Sequence, residues 1–440
     1  MQKIHFNHVL HLPLVLSVVL LLGCAKPAEE GRERQKMTGK VQIVRNGNAY
    51  QLLRDGQPYF IKGGGGYEHY DVLKQCGGNS IRVWDTKNAR QVLDEAHRLG
   101  LTVTLGLEVG RERLGFDYDE EKAVAAQLAN LEKQVLLYKD HPALLMWGIG
   151  NEVQLRATNP KVWPAVNQIA QMIHRVDPDH PVTTMIPADP THLKAVQQYC
   201  PDLDLVAINA FGTLEYLGEL LQQAKWEGPY ILSEWGPWGQ WHNLERTTWD
   251  ASFEFTSTAK ADMYKTAYQS SVKRDTLNCL GAYAFYWGFK QERTATWHSL
   301  FTEEGYRTEA VDVLEQFWKG TPPANRAPSI ASVTLTGKEA GSDILLDRAA
   351  VVRAVVAAND PEGDSLTVTW RVYTDLGAAD YAVGGDVEVR PVQMQQLSEI
   401  ASGNTFTFTT PTRQGAYRLF VYVIDGKKHA ATANIPFYVL

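Results

Sequence analysis

The chain has 440 residues, 44% of them hydrophobic and 21% charged, with a formal net charge of −7. That composition excludes the disordered and fibrous classes and leaves room for two or three folded domains. No strong basic block interrupts the acidic balance, so the electrostatic footprint of a nucleic-acid binder is missing.

The first 24 residues stand apart, with Lys3 near the start and an apolar stretch ending PLVLSVVLLLGC. At roughly 10–14 apolar residues the stretch is short for a membrane span, which takes about 20. Leu21-Leu22-Gly23-Cys24 resembles the bacterial lipobox, in which the cysteine is acylated and becomes the new N-terminus. The resemblance implies a signal peptide over 1–24 and a body anchored to the membrane of a bacterial cell envelope through Cys24. Ala25, where an aspartate would hold such a protein back, points to the outer membrane. An uncleaved anchor is the alternative and gives the same membrane address. Residues 25–39, AKPAEEGRERQKMTG, are polar and aperiodic and read as a tether. His5, His8 and His11 have metal-like spacing but lie in the leader, and the remaining histidines form no ligand cluster. Cys76, Cys200 and Cys279 follow Cys24, so at most one disulfide forms among them and the core carries the stability.

From 40 to 320, short β-rich runs alternate with longer helical ones. The predicted strands are PYFIKG (58–63), NSIRVW (79–84), LTVTLGL (101–107), ALLMWGI (143–149), PVTTM (181–185), LDLVAIN (203–209), PYILSE (229–234) and GAYAFYW (281–287). Between them, Ala89, Val92, Leu93 and Ala96 share a helical face that Gly100 terminates. Val124, Leu128, Leu131 and Val135 mark a helix ending before Pro142. Asn159-Pro160 caps and opens another, with Val162, Val166, Ile169 and Ile173 inward. This alternation, over about 280 residues, matches an α/β TIM barrel, (β/α)8, and the continuous apolar runs suit a parallel sheet covered on both faces. An open doubly wound sheet is the rival. The glycines of KGGGGYEHY (62–70) lack the Lys-Ser/Thr of a phosphate loop and read as a tight turn after strand one.

The Pro-rich stretch 321–329 is expected to link the barrel to a second domain, 330–440, where VVRAVVAA, LTVTWRVY, TFTFTT and GAYRLFVYVIDG suggest an antiparallel β-sandwich. Through NDPEGDSLTVTW and GAYRLFVYVIDG it resembles the immunoglobulin-like or PKD-like modules appended to secreted carbohydrate enzymes. Asp360, Glu362 and Asp364 read as an acidic turn in preference to a calcium site, and no metal or cofactor is expected.

Polar residues at the C-terminal ends of TIM-barrel strands face the active site. MWGIGNEV (146–153) finishes on Asn151 and Glu152, which are costly to bury without a partner, and YILSEWG (230–236) brings Glu234 to the same rim. Two carboxylates across one cleft equip a protein to cleave a glycosidic bond: one, protonated, donates to the leaving oxygen, while the other, ionised, attacks or activates water. WGIGNEV and ILSEWG, with Arg82 in SIRVW and Trp287 in AFYWG, resemble glycoside hydrolase clan A over roughly residues 40–320, the family 2 catalytic domain being nearest. The resemblance implies that Glu152 is the general acid/base, Glu234 the nucleophile, Asn151 a partner of the sugar 2-hydroxyl and Arg82 a cation holding Glu234 ionised. It also implies retention of anomeric configuration, with carboxyl groups about 5–5.5 Å apart. The charge on Glu234 then raises the pKa of Glu152. A purely structural ion pair with Arg82 is the bland alternative.

The sequence departs from the family pattern in two places. Where GxNxH is common after strand one, Tyr67, Glu68 or His69 must substitute or the subsite differs. After Asn209 comes Phe211 in place of a tyrosine, which leaves Tyr286 as the candidate replacement. Eight tryptophans (Trp84, Trp147, Trp235, Trp238, Trp241, Trp249, Trp287, Trp297) lie on or shortly after strand ends, where flat aromatic faces suit pyranose rings. Of these, Trp84, Trp235, Trp238, Trp241 and Trp287 are the candidate sugar contacts, beside Tyr67, His69, Asn209 and Tyr286. The expected protein is a retaining β-glycoside hydrolase acting on β-linked poly- or oligosaccharide at the cell surface. A transglycosylase and a non-catalytic glycan-binding surface lipoprotein are the alternatives, the latter normally marked by loss of a carboxylate. A Ser270-x-x-Lys273 acyl-transfer site lacks partners in its helical stretch.

Overall fold

The computed structural model describes residues 40–375 and 398–440, except 243 and 402, and of 398–401 the backbone only. The leader with Cys24, and the tether over 25–39, lie outside the described residues.

The described chain opens with a feature the sequence reading passed over. Strands β1 (Val41–Asn46), β2 (Ala49–Arg54) and β3 (Gln57–Pro58) form an antiparallel sheet. Its two-residue connections are Gly47-Asn48 and Asp55-Gly56, pairs suited to hairpin turns because Gly47, Asp55 and Gly56 all have positive φ. Val41 and Leu52 of this sheet pack with Ile61, Leu145, Met146, Ile231 and Leu280. Those partners come from the first halves of barrel strands, so the hairpins close the end of the barrel opposite the C-terminal ends of its strands.

The barrel strands are β4 (Ile61–Gly65), β5 (Ser80–Val83), β6 (Thr102–Leu107), β7 (Leu144–Asn151), β8 (Val182–Pro187), β9 (Val206–Ala210), β10 (Tyr230–Trp235) and β11 (Cys279–Phe285). They form a closed parallel barrel in which β11 pairs with β4, as the strand count requires. The open-sheet rival is thereby excluded. Gly63, Gly64 and Gly65 lie inside β4 and form no turn. A Cβ on Gly63 would lie 2.3 Å from the Tyr283 ring, and one on Gly66, just past the strand, 2.0 Å from the Trp287 carbonyl oxygen. The aromatic strand β11 comes so close that only hydrogen fits.

Helices α1 (Tyr70–Gln75), α2 (Ala89–Leu99), α3 (Glu121–Tyr138), α4 (Val162–Val176), α5 (Pro190–Tyr199), α6 (Leu217–Ala224), α7 (Ser257–Ala267) and α8 (Glu309–Lys319) follow the strands. Gly100 ends α2 with φ 67°, as the sequence suggests. Helix α4 begins later than expected: Lys161 is its N-cap, and Asn159 Oδ1 accepts from Lys161 N at 3.0 Å in a local turn before it. Cys76, Cys200 and Cys279 are buried free thiols, so no pair among them forms a disulfide.

The second domain contains two sheets. One joins β12 (Ser329–Leu335), β13 (Lys338–Glu339), β15 (Val351–Asn359) and β18 (Thr405–Thr409). The other joins β14 (Leu345–Leu346), β16 (Thr367–Thr374), β17 (Ser398–Ala401), β19 (Gly415–Ile424) and β20 (Ala430–Val439). Trp370, Phe406, Leu419 and Ile435 share its separate apolar core. The stretch before it is no free linker. Ala327 N donates to Asp312 Oδ2 at 2.6 Å, Ile330 N to Thr258 Oγ1 at 2.9 Å and Thr432 N to Ser257 Oγ at 2.8 Å, which docks the sandwich on α7 and α8.

Candidate active site

Backbone register decides which side chains share the cleft. Glu234 is level with Asn209 on the neighbouring strand, after an irregularity between Leu232 and Glu234, and Arg82 lies between Gly65 and Thr104. A second irregularity between Ile149 and Asn151 ends β7, and Glu152 then takes φ 49°, an uncommon conformation for a residue with a side chain. The polar strand ends thus converge on one rim.

A continuous hydrogen-bond chain connects them. Arg82 Nη1 donates to Glu234 Oε1 at 2.6 Å and to the Ser233 carbonyl at 3.0 Å, while Nη2 donates to Asn151 Oδ1 at 2.7 Å. Asn209 Nδ2 donates to Glu152 Oε1 at 2.9 Å and to Asn151 Oδ1 at 3.2 Å. Ser233 Oγ in turn donates to Asn209 Oδ1 at 2.7 Å, fixing the orientation of that amide. Trp84 Nε1 adds a second donor to Glu234 Oε1 at 2.9 Å. Both donors fall on the same oxygen, and among the described residues none reaches Oε2.

The two carboxyl groups differ in surroundings. Glu234 is 7% exposed and ion-paired with a buried guanidinium. Glu152 is half-buried and accepts only the Asn209 bond among the described residues. Burial first, and then the charge of Glu234, push the Glu152 carboxyl from 4.5 up to about 7, against the Asn209 bond and the cations Arg113 and Arg82. An acid that holds its proton near neutrality beside a paired carboxylate is the arrangement that bond-cleaving acid/base chemistry needs.

Aromatic rings wall the cleft. Trp84 stacks on Tyr286 at 5.8 Å and 19°, meets Phe285 edge-on at 5.9 Å and lies under the Arg82 guanidinium at 4.7 Å. Tyr67 lies 5.9 Å from the Trp84 ring, and its hydroxyl accepts from Trp84 N at 3.2 Å. Phe285 continues through Phe211 to Trp241, which is 54% exposed and stacks on buried His298. Trp238 flanks this wall through His242.

Three sequence-derived contacts do not reach the cleft. Trp235, 1% exposed, follows inward-facing Glu234 and therefore faces outward, against Tyr264 and Tyr268. Trp287, also 1% exposed, packs on Phe301 and Trp318, with Nε1 donating to the His69 carbonyl at 3.0 Å. His69 stacks on Phe301 at 4.2 Å and has no bond to either glutamate. Trp147 and Trp297 are likewise core residues. Ser270 Oγ bonds the Ala267 carbonyl at 3.4 Å, which gives the acyl-transfer reading no support. The sequence reading missed Ser233, Phe285 and Arg113, whose Nη1 donates to the Glu152 carbonyl at 2.5 Å. Ser233 precedes Glu234 and had a readable position; Arg113 comes from the short 3-10 turn Glu112–Leu114, whose placement brings it near.

Residues 69–240, which include Arg82, Asn151, Glu152, Asn209 and Glu234, match the model of the glycosyl hydrolases family 2 TIM barrel domain. Over that stretch the barrel is similar to the catalytic domain of glycosyl hydrolase family 2. A beta-glucuronidase of Paenibacillus borealis is 24% identical over 227 residues, which cover 42% of this chain and 36% of that protein. Among solved structures, a mutant of Bacteroides uniformis beta-glucuronidase 2 superposes with a TM-score of 0.51 at 15% identity, covering 91% of this chain and 48% of that one. Bifidobacterium dentium beta-glucuronidase gives 0.51 at 17% identity, covering 64% of this chain and 50% of that one. The two structural likenesses speak to the fold, and the chain spans half or less of the length of all three relatives. Within the family 2-like barrel, Arg82, Asn151, Asn209 and the two glutamates form one connected unit.

Proposed function

We propose that the protein is a retaining β-glycoside hydrolase with Glu234 as nucleophile and Glu152 as general acid/base. The observation that carries this reading is the pair itself: a carboxyl pushed up to about 7 beside a carboxylate whose two donors crowd one oxygen. In the first step Glu234 Oε2 attacks the anomeric carbon, the glycosidic C–O bond breaks, and the Glu152 proton passes to the leaving oxygen. In the second, Glu152 takes a proton from water, the hydroxide oxygen adds to the anomeric carbon, and the Glu234 ester bond breaks to restore both groups. Asn151 and Asn209 present amides beside the reacting pair, and Trp84, Tyr67 and Tyr286 supply ring faces for the sugar.

The relatives' names favour an aryl β-glucuronide as the first substrate to try, next to β-glucosides, β-galactosides and β-glucans. The leader sequence supports attachment through Cys24 to a bacterial envelope membrane as part of the same proposal. The test is turnover of this panel by wild type, Glu152→Gln and Glu234→Gln, with the first-formed anomer read by NMR. Retained configuration with loss of activity in both variants is expected. An inverted first product, or full activity in either variant, overturns the assignment.

A further inference from the structure

Away from the cleft, the loop between β15 and β16 and the turn between β19 and β20 meet beside the segment that joins barrel to sandwich. Carboxylate oxygens of Asp360, Asp364 and Asp425 lie within 4.8 Å of one another there. Asp360 is 7% exposed and Asp425 3%. Their turns fix them from one side: Asp360 Oδ1 accepts from Glu362 N at 3.0 Å and Asp364 N at 2.8 Å, and Asp425 Oδ1 from Lys427 N at 2.7 Å and His429 N at 2.8 Å. Asp425 Oδ2 accepts from Asn325 Nδ2 at 2.7 Å and contacts His429 Nδ1 at 3.0 Å.

What remains is one-sided. Asp360 Oδ2 is buried within this cluster with no hydrogen-bond partner, and the Asn325 amide oxygen is also buried without a donor. Lys427 Nζ, on a side chain 54% exposed, pairs with Asp364 Oδ2 at 2.8 Å and Oδ1 at 3.1 Å. Arg326 is occupied by Glu362, which it meets at 2.8 Å through Nε and 3.1 Å through its backbone N, so Glu362 is drawn out of the cluster. Three carboxylates against one surface ammonium leave net negative charge in a buried place, and a buried carboxylate oxygen without a donor is costly. Calcium takes six to eight oxygens at about 2.3–2.6 Å, so oxygens no farther apart than about twice that length fit around a single ion.

We propose that Asp360, Asp364 and Asp425 bind one calcium ion, with the Asn325 amide oxygen a further candidate ligand, and that Lys427 swings to solvent when the ion enters. This departs from the sequence expectation of a plain acidic turn, because the third carboxylate comes from a turn 61 positions beyond Asp364 (425 − 364) and Glu362 is not a member. The ion would fasten the Asn325 segment to two sandwich turns and so stiffen the approach to the barrel.

The test uses the full chain, stripped with EGTA and returned to calcium chloride, with calorimetry for stoichiometry and thermal unfolding for stability. Wild type should take up one calcium per chain and gain roughly 5 °C in Tm at a hundredfold excess over Kd. Asp360→Asn should lose both responses, and Lys427→Ala should bind calcium several-fold more tightly. No calcium uptake by stripped wild type, undiminished affinity in Asp360→Asn, or equal stabilisation by magnesium overturns the proposal.

Discussion

At the barrel–sandwich junction, buried Glu254 accepts from four side chains: Lys260 at 2.5 Å, Thr296 at 2.8 Å, Thr294 at 2.5 Å and Asn434 at 2.6 Å. At the mouth of the barrel, Glu152 accepts from Asn209 alone among the described residues. Burial works to raise both carboxyls. At Glu254 the Lys260 ammonium and the surrounding donors outweigh it and hold the group below its ordinary range. At Glu152 burial and Glu234 prevail. The upward push of burial therefore does not separate Glu254 from the proposed acid Glu152. The separation lies in how many oxygens the protein satisfies itself and how many it leaves for something else.

Substitutions at the two places should fail in opposite ways. Glu152→Gln should lower kcat/KM by about 10²–10⁴-fold for a poor leaving group with Tm unchanged or higher, whereas Glu234→Gln should lower it by more and also lower Tm, because it leaves the buried Arg82 guanidinium without its counter-charge. Lys260→Met should cost about 3–5 kcal/mol of stability by stranding Glu254, read by denaturant unfolding, while the folded fraction keeps its specific activity. An inactive but stable Lys260→Met would break the comparison. Trp84→Phe retains a ring and removes the donor to Glu234, a bond to a charged group worth about 1.5–3 kcal/mol; kcat/KM should drop about 10- to 100-fold with little change in Tm. Trp241→Ala, farther along the wall, should raise KM a few-fold and leave stability within about 0.5 kcal/mol.

The pH dependence sharpens the same contrast. As the acid, Glu152 works protonated, so kcat/KM should fall as pH rises past about 7, on a limb that Glu152→Gln removes. Its folded value lies above its ordinary one of 4.5, so the stabilisation from its proton is fully present below that value and is lost as pH climbs through about 7. The Tm advantage of Glu152→Gln over wild type should therefore be larger at pH 8 than at pH 5. Equal gaps at both pH values would place the acid elsewhere.

Much of the barrel was readable because buried parallel strands are continuous apolar runs, and a carboxylate ending such a run advertises its position, as Glu152 and Glu234 do. The opening hairpins were readable too, through Gly47-Asn48 and Asp55-Gly56, yet the strand count began only at residue 58. Alternation along β10 already told that Trp235 must face away from Glu234. Counting tryptophans near strand ends ignored that alternation. The role of Arg113 beside Glu152, the selection of Asp425 to join Asp360, and the seating of Asn434 on Glu254 depend on contacts between distant segments, which no local pattern records.

The assignment of Glu234 is tested most directly by incubating the wild-type enzyme with an activated 2-deoxy-2-fluoro derivative of the sugar it hydrolyses best and mapping the adduct by peptide mass spectrometry. The account predicts one glycosyl group, esterified to the peptide carrying Glu234 and released by water with recovery of activity. A stable adduct on any other residue, or complete absence of one while the parent glycoside turns over, would contradict it.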